Sequence, residues 1–244
     1  MVVRSRPRHW STTPGVLVRH QQARAVRYRA ALVAAIVLGG CRAAQRPAPS
    51  PASLTDPDAI LADAHAPDSF AVRFETNQGT FRVLVHRNWA PLGADRFYAL
   101  VRHQFFDEQR FFRVRKNFIA QFGLHPDPAV IAAWKPRRMR DDSSRVSNRR
   151  GTLTYAFTTA DTRSTQIFIN LADNARLDAE GFAPFGEIVQ GVEVIDRLYA
   201  GYDESAGGGM RAGKQGRIEA EGNVHLKRDF PLLDYIRRAR LIPE

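Results

Sequence analysis

Two runs of alternating apolar and polar residues flank one turn signal: Phe70-Ala-Val-Arg-Phe-Glu-Thr76, then Asn77-Gln-Gly79, then Thr80-Phe-Arg-Val-Leu-Val-His86. A period of two sends alternate side chains to opposite faces of a strand, and a break containing Gly joins the two runs as a β-hairpin. A hairpin with one apolar face must be covered, so the segments after it decide the fold. Pro91 opens a helix where its missing N–H costs nothing, and Phe97, Leu100 and Val101 recur at i, i+3, i+4 on one face. The next pieces are short and β-rich, around 110–114, 118–122, 151–157, 166–170 and 185–189. A second helix is expected over 192–199, with Val192, Ile195 and Leu198/Tyr199 inward and Gly201 ending it. Two short helices among many short strands make the expected class mainly β: an antiparallel barrel capped by two α-helices.

The chain ends differ in kind. The glycine-rich stretch from Asp203 to Gly216 is expected to be a loop, and Phe230–Arg240 a C-terminal helix, apolar at Leu232, Leu233, Ile236 and Ala239. At the other end, Ala30-Ala-Leu-Val-Ala-Ala-Ile-Val-Leu-Gly-Gly-Cys41 is too short to span a bilayer, which takes ~20 residues as a helix. An arginine-rich region before it and small residues at its end fit a secretory signal. Residues 1–42 hold eight arginines and no acid, so the net charge of +11 falls to +3 over the remainder. The basic excess therefore belongs to the segment expected to be removed, and a nucleic-acid partner is not expected. With Cys41 the one cysteine, no disulfide can form within the chain and no thiolate zinc site can be built. Residues 42–68, rich in Ala, Pro and Ser, are expected to be an extended linker. The organisation expected is thus a signal segment over 1–41, a linker over 42–68, a folded domain over 69–201 and an extension over 202–244.

Four stretches carry a family resemblance. Phe111-Phe-Arg-Val-Arg-Lys-Asn-Phe-Ile-Ala-Gln-Phe-Gly123 resembles the cyclophilin segment Phe-His-Arg-x-x-x-x-Phe-x-x-Gln-Gly-Gly. Gly151-Thr-Leu-Thr-Tyr-Ala-Phe157 resembles Gly-x-Leu-Ser-Met-Ala-Asn, and Thr165-Gln-Ile-Phe-Ile-Asn170 resembles Ser-Gln-Phe-Phe-Ile. Leu177-Asp178 and Phe185-Gly186 stand where that family has Leu-Asp and Phe-Gly. Their order and spacing over residues 70–200 are more specific than any one of them. The resemblance implies a closed eight-stranded barrel and peptidyl-prolyl cis-trans isomerase activity on proline-containing polypeptides. It assigns Arg113 and Gln121 to catalysis, and Phe118, Ile119, Gln166, Phe168, Leu177, Phe182, Phe157 and Arg176 to the substrate. The ending Leu38-Gly39-Gly40-Cys41 likewise resembles a bacterial lipoprotein signal, which implies lipidation of Cys41 and a place in the cell envelope, facing the periplasm or the outside.

Such a reaction breaks no bond, so no cofactor, metal or nucleophile is expected, and none of the histidines shows metal-ligand spacing. A lone Arg in a Phe-rich strand is ordinarily a surface residue whose stem lies on apolar neighbours; Arg113 takes its weight from Gln121, Gln166 and the phenylalanines around it. Four positions depart from the family, one of them Tyr155 in place of Met. Phe157 replaces an Asn and removes a backbone-binding amide. Arg176 replaces a Trp associated with cyclosporin, which implies weak binding of the drug and a charge at the pocket rim. Phe182 stands where many relatives carry His. These departures keep a second reading open, a catalytically weak domain that grips Pro-containing segments as a chaperone or scaffold. A monomer is expected in either case.

Overall fold

A computed structural model describes residues 54–62, 64–208 and 215–243. Cys41 and the rest of the expected signal segment lie outside them. The expected hairpin is present as β1 (Ser69–Thr76) and β2 (Gly79–His86), paired in register from Ser69↔His86 to Thr76↔Gly79. Gly79 sits at φ +135°, a backbone only glycine adopts freely. The later strands are β3 (Arg113–Arg115), β4 (Ile119–Phe122), β5 (Thr152–Tyr155), β6 (Ile167–Asn170), β7 (Pro184–Gln190) and β8 (Ile236–Leu241). They form one antiparallel sheet in the order β3-β4-β6-β5-β7-β2-β1-β8.

The helices are α1 (Pro57–Leu61), α2 (Pro91–Arg102), α3 (Pro128–Trp134), α4 (Arg176–Ala179), α5 (Glu193–Asp196), α6 (Gly216–Glu221) and α7 (Asn223–Asp229). Helix α2 starts at Pro91 as the sequence predicts. Its cap residue Ala90 offers no side-chain acceptor, and Asp142 supplies one from fifty residues away, accepting from Leu92 N at 3.0 Å and Gly93 N at 2.8 Å. The inner face of the sheet and α2 enclose a core of Phe74, Phe81, Phe97, Phe106, Phe122 and Phe185, each 0–1% exposed. Each such ring contributes roughly 2–3 kcal/mol by leaving water.

Four expectations are corrected. The sheet is curled but open: β3 and β8 are its edges, and among the described residues a single bridge, Arg110↔Tyr235, joins the segments leading into them. The ladder does not continue because Val114 N donates to Asp203 O (3.2 Å), so the free edge of β3 is taken by the 202–208 turn instead of by β8. The expected C-terminal helix is β8. The spacing of its inward residues misled: a register shift against Glu75/Thr76 inserts one extra residue, so Ile236 and Ala239 fall three apart, as on a helix, while facing Thr76 and Phe74. Of the linker expected through residue 68, the described residues 54–62 and 64–68 are docked. Asp56 caps α1 by accepting from Ala59 N (3.1 Å), Leu54, Ile60 and Ala66 enter the core, and Trp134 Nε1 donates to Leu54 O (2.9 Å). The helix expected over 192–199 shortens to α5.

Candidate active site

Strand register builds the site. Arg113 pairs with Gln121 and Gln121 with Phe168 across β3, β4 and β6, so these three side chains share one face. Val114, Ala120 and Ile169, the alternate positions, share the other face and belong to the main core. The candidate residues thus stand on the outside of the sheet. There Ile119, Phe168 and Leu177 form a small apolar cluster of their own, with Phe118, Ala156 and Phe182 packed against it.

A cavity of about 180 Å³ opens on this cluster. It is lined by Arg113, Gln121, Phe118, Ile119, Phe157, Phe168, Arg176, Leu177 and Phe182, nine of the ten residues singled out from the sequence. The tenth, Gln166, stands behind Gln121 and lines an adjoining hollow. The polar side is a continuous row. Arg113 Nη1 donates to Gln121 Oε1 (3.2 Å), Gln121 Nε2 donates to Gln166 Oε1 (2.9 Å), and Gln166 Nε2 donates to Gln215 Oε1 (2.8 Å). At its other end, Arg113 donates from Nε (3.0 Å) and Nη2 (2.5 Å) to Glu204 Oε1. Three of the five guanidinium N–H bonds are thereby used, leaving one on each Nη for a ligand.

The apolar side is held from below. Asn174 donates to Phe118 O (2.9 Å) and to Asn170 Oδ1 (2.8 Å), fixing the start of the loop that carries α4. Asp178 accepts from Ser147 Oγ (2.6 Å) and from Asn148 N and Nδ2 (2.9 and 2.8 Å), and Asn148 Nδ2 also reaches Phe182 O (2.8 Å). Burial raises the pKa of Asp178, but those hydrogen bonds and the charge of Arg149 outweigh it and hold the carboxyl below its ordinary value.

The departures from the family fit into this frame. Phe157 packs on Phe182 with ring centroids 4.3 Å apart, and the Arg163 guanidinium lies 4.6 Å from its centroid. Phe182 meets Phe168 edge-on at 5.6 Å. Phe157 and Phe182 therefore supply wall at the two positions where the family resemblance implies an amide and an imidazole. Arg176 is exposed, pairs with Glu180 at 3.1 Å, and lies 4.8 Å from the Phe118 centroid, while the Arg113 guanidinium lies 5.7 Å from the same ring. Tyr155, the replacement for Met, points inward against Phe185 (5.1 Å) and does not reach the cavity.

Glu204, Gln215 and Gly207 at the same site were not foreseen. Glu204 meets Arg113 across 91 positions and Gln215 meets Gln166 across 49, from a stretch whose glycine content signals only a loop. No periodicity or motif marks them.

Comparison with known proteins finds one family. Residues 71–219 match the family model described as cyclophilin type peptidyl-prolyl cis-trans isomerase. The chain is 33% identical over 144 residues to a peptidyl-prolyl cis-trans isomerase of Acinetobacter baylyi, covering 57% of this chain and 77% of that protein. It is 30% identical over 135 residues to peptidyl-prolyl cis-trans isomerase B of Escherichia coli, covering 52% and 82%. A crystal structure of a Cryptosporidium parvum cyclophilin type isomerase superimposes with a TM-score of 0.52 at 19% identity, over 72% of this chain and 99% of that one, a likeness of fold. With the family model spanning more than half of its length, this chain belongs to the cyclophilin-type peptidyl-prolyl cis-trans isomerases.

Proposed function

We propose that this isomerase uses Arg113 as its catalytic cation and works on exported polypeptides while tethered at the cell envelope by Cys41. The observation that carries the first part is the juxtaposition of the Arg113–Gln121–Gln166 row with the apolar slot of Ile119, Phe168 and Leu177.

Resonance makes rotation about an amide slow, with a barrier of ~18–20 kcal/mol, and X–Pro bonds exchange isomers over tens of seconds or longer. As the bond twists, conjugation is lost and the prolyl nitrogen gains a localised lone pair. A fixed cationic donor meets that lone pair only in the twisted state, so its effect falls on the transition state. The remaining Arg113 N–H bonds are placed to do this, with Gln121 holding the guanidinium. Phe118, Ile119, Phe168, Leu177 and Phe182 take the prolyl ring, and Phe157 extends the wall. The Gln121 and Gln166 amides supply polar contacts for the substrate backbone. Arg176, at the rim, favours acidic residues beside the proline.

The test is cis/trans exchange of a short X–Pro peptide, measured by NMR with the full-length protein. Arg113→Ala is expected to lower kcat/KM by about 10²–10³, the usual effect of removing one preorganised donor. Wild-type exchange no faster than the uncatalysed rate would leave the peptide-gripping chaperone as the reading. The tether is supported by Leu38-Gly39-Gly40-Cys41 at the end of its apolar run. Cys41→Ser is expected to move the protein from the membrane fraction to the soluble one; retention of the variant on membranes would count against lipidation.

A further inference from the structure

We propose that Glu204 is a positioning residue for Arg113, delivered to the site by the turn that takes the free edge of β3. This rests on Arg113 being the catalytic cation and names the group that aims it.

Glu204 is one of the more deeply buried carboxylates, its side chain 10% exposed against 17% for Arg113. A single oxygen, Oε1, accepts from both Nε (3.0 Å) and Nη2 (2.5 Å) of Arg113, and more distantly from Arg115 Nη1 (3.5 Å). Two N–H bonds converging on one oxygen stop the guanidinium plane from turning about Cδ–Nε, which the one bond from Nη1 to Gln121 (3.2 Å) cannot do alone. The carboxylate is itself fixed. Val114 N donates to Asp203 O (3.2 Å), Ser205 N to Tyr202 O (2.8 Å) and Gly207 N to Glu204 O (3.1 Å), while Ala206 is buried beside Phe112. Asp203 holds φ +49°, which turns the chain so that the next residue faces β3.

Two effects of opposite sign result. The carboxylate offsets part of the positive charge that the twisted substrate meets, and it holds that charge still. Arginine is long and loses much rotamer freedom when fixed, so a donor already aimed spends none of the substrate's binding energy on ordering itself. A displacement of about 1 Å in a reacting group can cost ~10²-fold, so aim outweighs the partial loss of charge.

The experiment measures kcat and KM separately by exchange NMR for wild type, Glu204→Ala, Glu204→Gln and Arg113→Ala, and for the double variant Arg113→Ala/Glu204→Ala, in the full chain. Circular dichroism and thermal melting establish that each is folded. Glu204→Ala is expected to lower kcat by about 10–100-fold with KM changed less than about threefold, and to broaden the Arg113 Nε–H resonance. Glu204→Gln keeps an oxygen that accepts both N–H bonds and should recover to within about fivefold of wild type. In the Arg113→Ala background, loss of Glu204 should change nothing further. A folded Glu204→Ala enzyme with wild-type kcat, a Glu204→Gln enzyme as poor as the alanine variant, or one faster than wild type, would each overturn the proposal. Should the alanine variant fail to fold, the glutamine variant and its Arg113 Nε–H signal decide the matter. An Arg113→Ala enzyme with full activity would instead remove the reading on which this one rests, a result distinct from failure at Glu204.

Discussion

Adding one methyl group at Gly123 should damage both the stability of the domain and the reach of Gln166. Gly123 comes directly after β4 with φ +110°, a conformation L side chains rarely adopt. A Cβ built there would lie 2.5 Å from Gln166 Cα and 2.9 Å from the Thr165 carbonyl carbon, both backbone atoms that no rotamer change can move. Thr165 Oγ1 also donates to Gly123 O (2.8 Å), which ties the two segments together where they would have to part. Backbone strain of about 1–2 kcal/mol adds to an overpacking cost of about 1–3 kcal/mol, so Gly123→Ala should lose about 3 kcal/mol. For a domain of this size that lowers Tm by ~6–12 °C. Because the displaced atom is Gln166 Cα, the bond from Gln121 Nε2 to Gln166 Oε1 (2.9 Å) should lengthen as well. The expected consequence is a kcat/KM reduced about tenfold or more at temperatures where the variant is still folded. Gly216→Ala is the control: no atom lies within 4 Å of its built Cβ, and the change should be neutral or stabilising by ~0.4–1 kcal/mol. Differential scanning calorimetry and exchange NMR on both variants check this. A Gly123→Ala protein with Tm within about 2 °C of wild type would refute the steric argument; full activity at a lowered Tm would refute the link to Gln166.

Two further outcomes concern charge. Burial pushes the His125 pKa down to about 4, against the raising effects of Asp127 and Asp107, and its Nδ1 accepts from Asp127 N at 3.0 Å. The unfolded chain takes up this proton near pH 6.5 and the folded one only near 4, so stability falls as pH drops through that window. Partial exposure reduces the linkage ceiling of ~3 kcal/mol to about 1–2 kcal/mol, and His125→Asn should remove that share of the difference in urea midpoint between pH 7 and pH 4.5; an unchanged difference would refute it. At the rim, Arg176→Glu should shift the ratio of kcat/KM for acid-flanked over base-flanked X–Pro peptides by about 5–20-fold, since each exposed pairing is worth ~0.2–1 kcal/mol and the swap reverses its sign. The shift should shrink in high salt, and an unaltered ratio at low salt would show that Arg176 does not face the substrate.

The hairpin, α2 and the juxtaposition of Arg113 with Gln121 were legible because each lies in a local pattern: alternation around Asn77-Gln-Gly79, an apolar stripe after Pro91, and motif spacing from Arg113 to Gln121. What escaped has physical reasons of its own. Helix α1 spans only Pro57–Leu61, too short for a helical period to show, and its docking rests on scattered Leu54, Ile60 and Ala66. Strand β8 imitated a helix because one register shift set two inward side chains three positions apart. Glu204 reaches Arg113 through a turn that hydrogen-bonds to β3, and nothing local encodes that meeting.

The placement of the site outside the core was hidden for a deeper reason. In β4 and β6 every residue is buried, with Ala120, Phe122, Ile167 and Ile169 on the core side and Ile119, Gln121, Phe168 and Asn170 on the other. A strand covered on both faces loses the alternation that announces which face is which. Phe168 and Ile169 are adjacent apolar residues, yet Ile169 fills the core and Phe168 the cavity wall. What separates them is register, since Phe168 faces Gln121 and through it Arg113. The polar residues of the row are therefore the marks of the outer face. Here the apolar slot lies beside a fixed cation because such a row interrupts an otherwise apolar strand pair, and that is why Arg113, Gln121 and Gln166 mark the candidate site while the phenylalanines around them fit the core equally well.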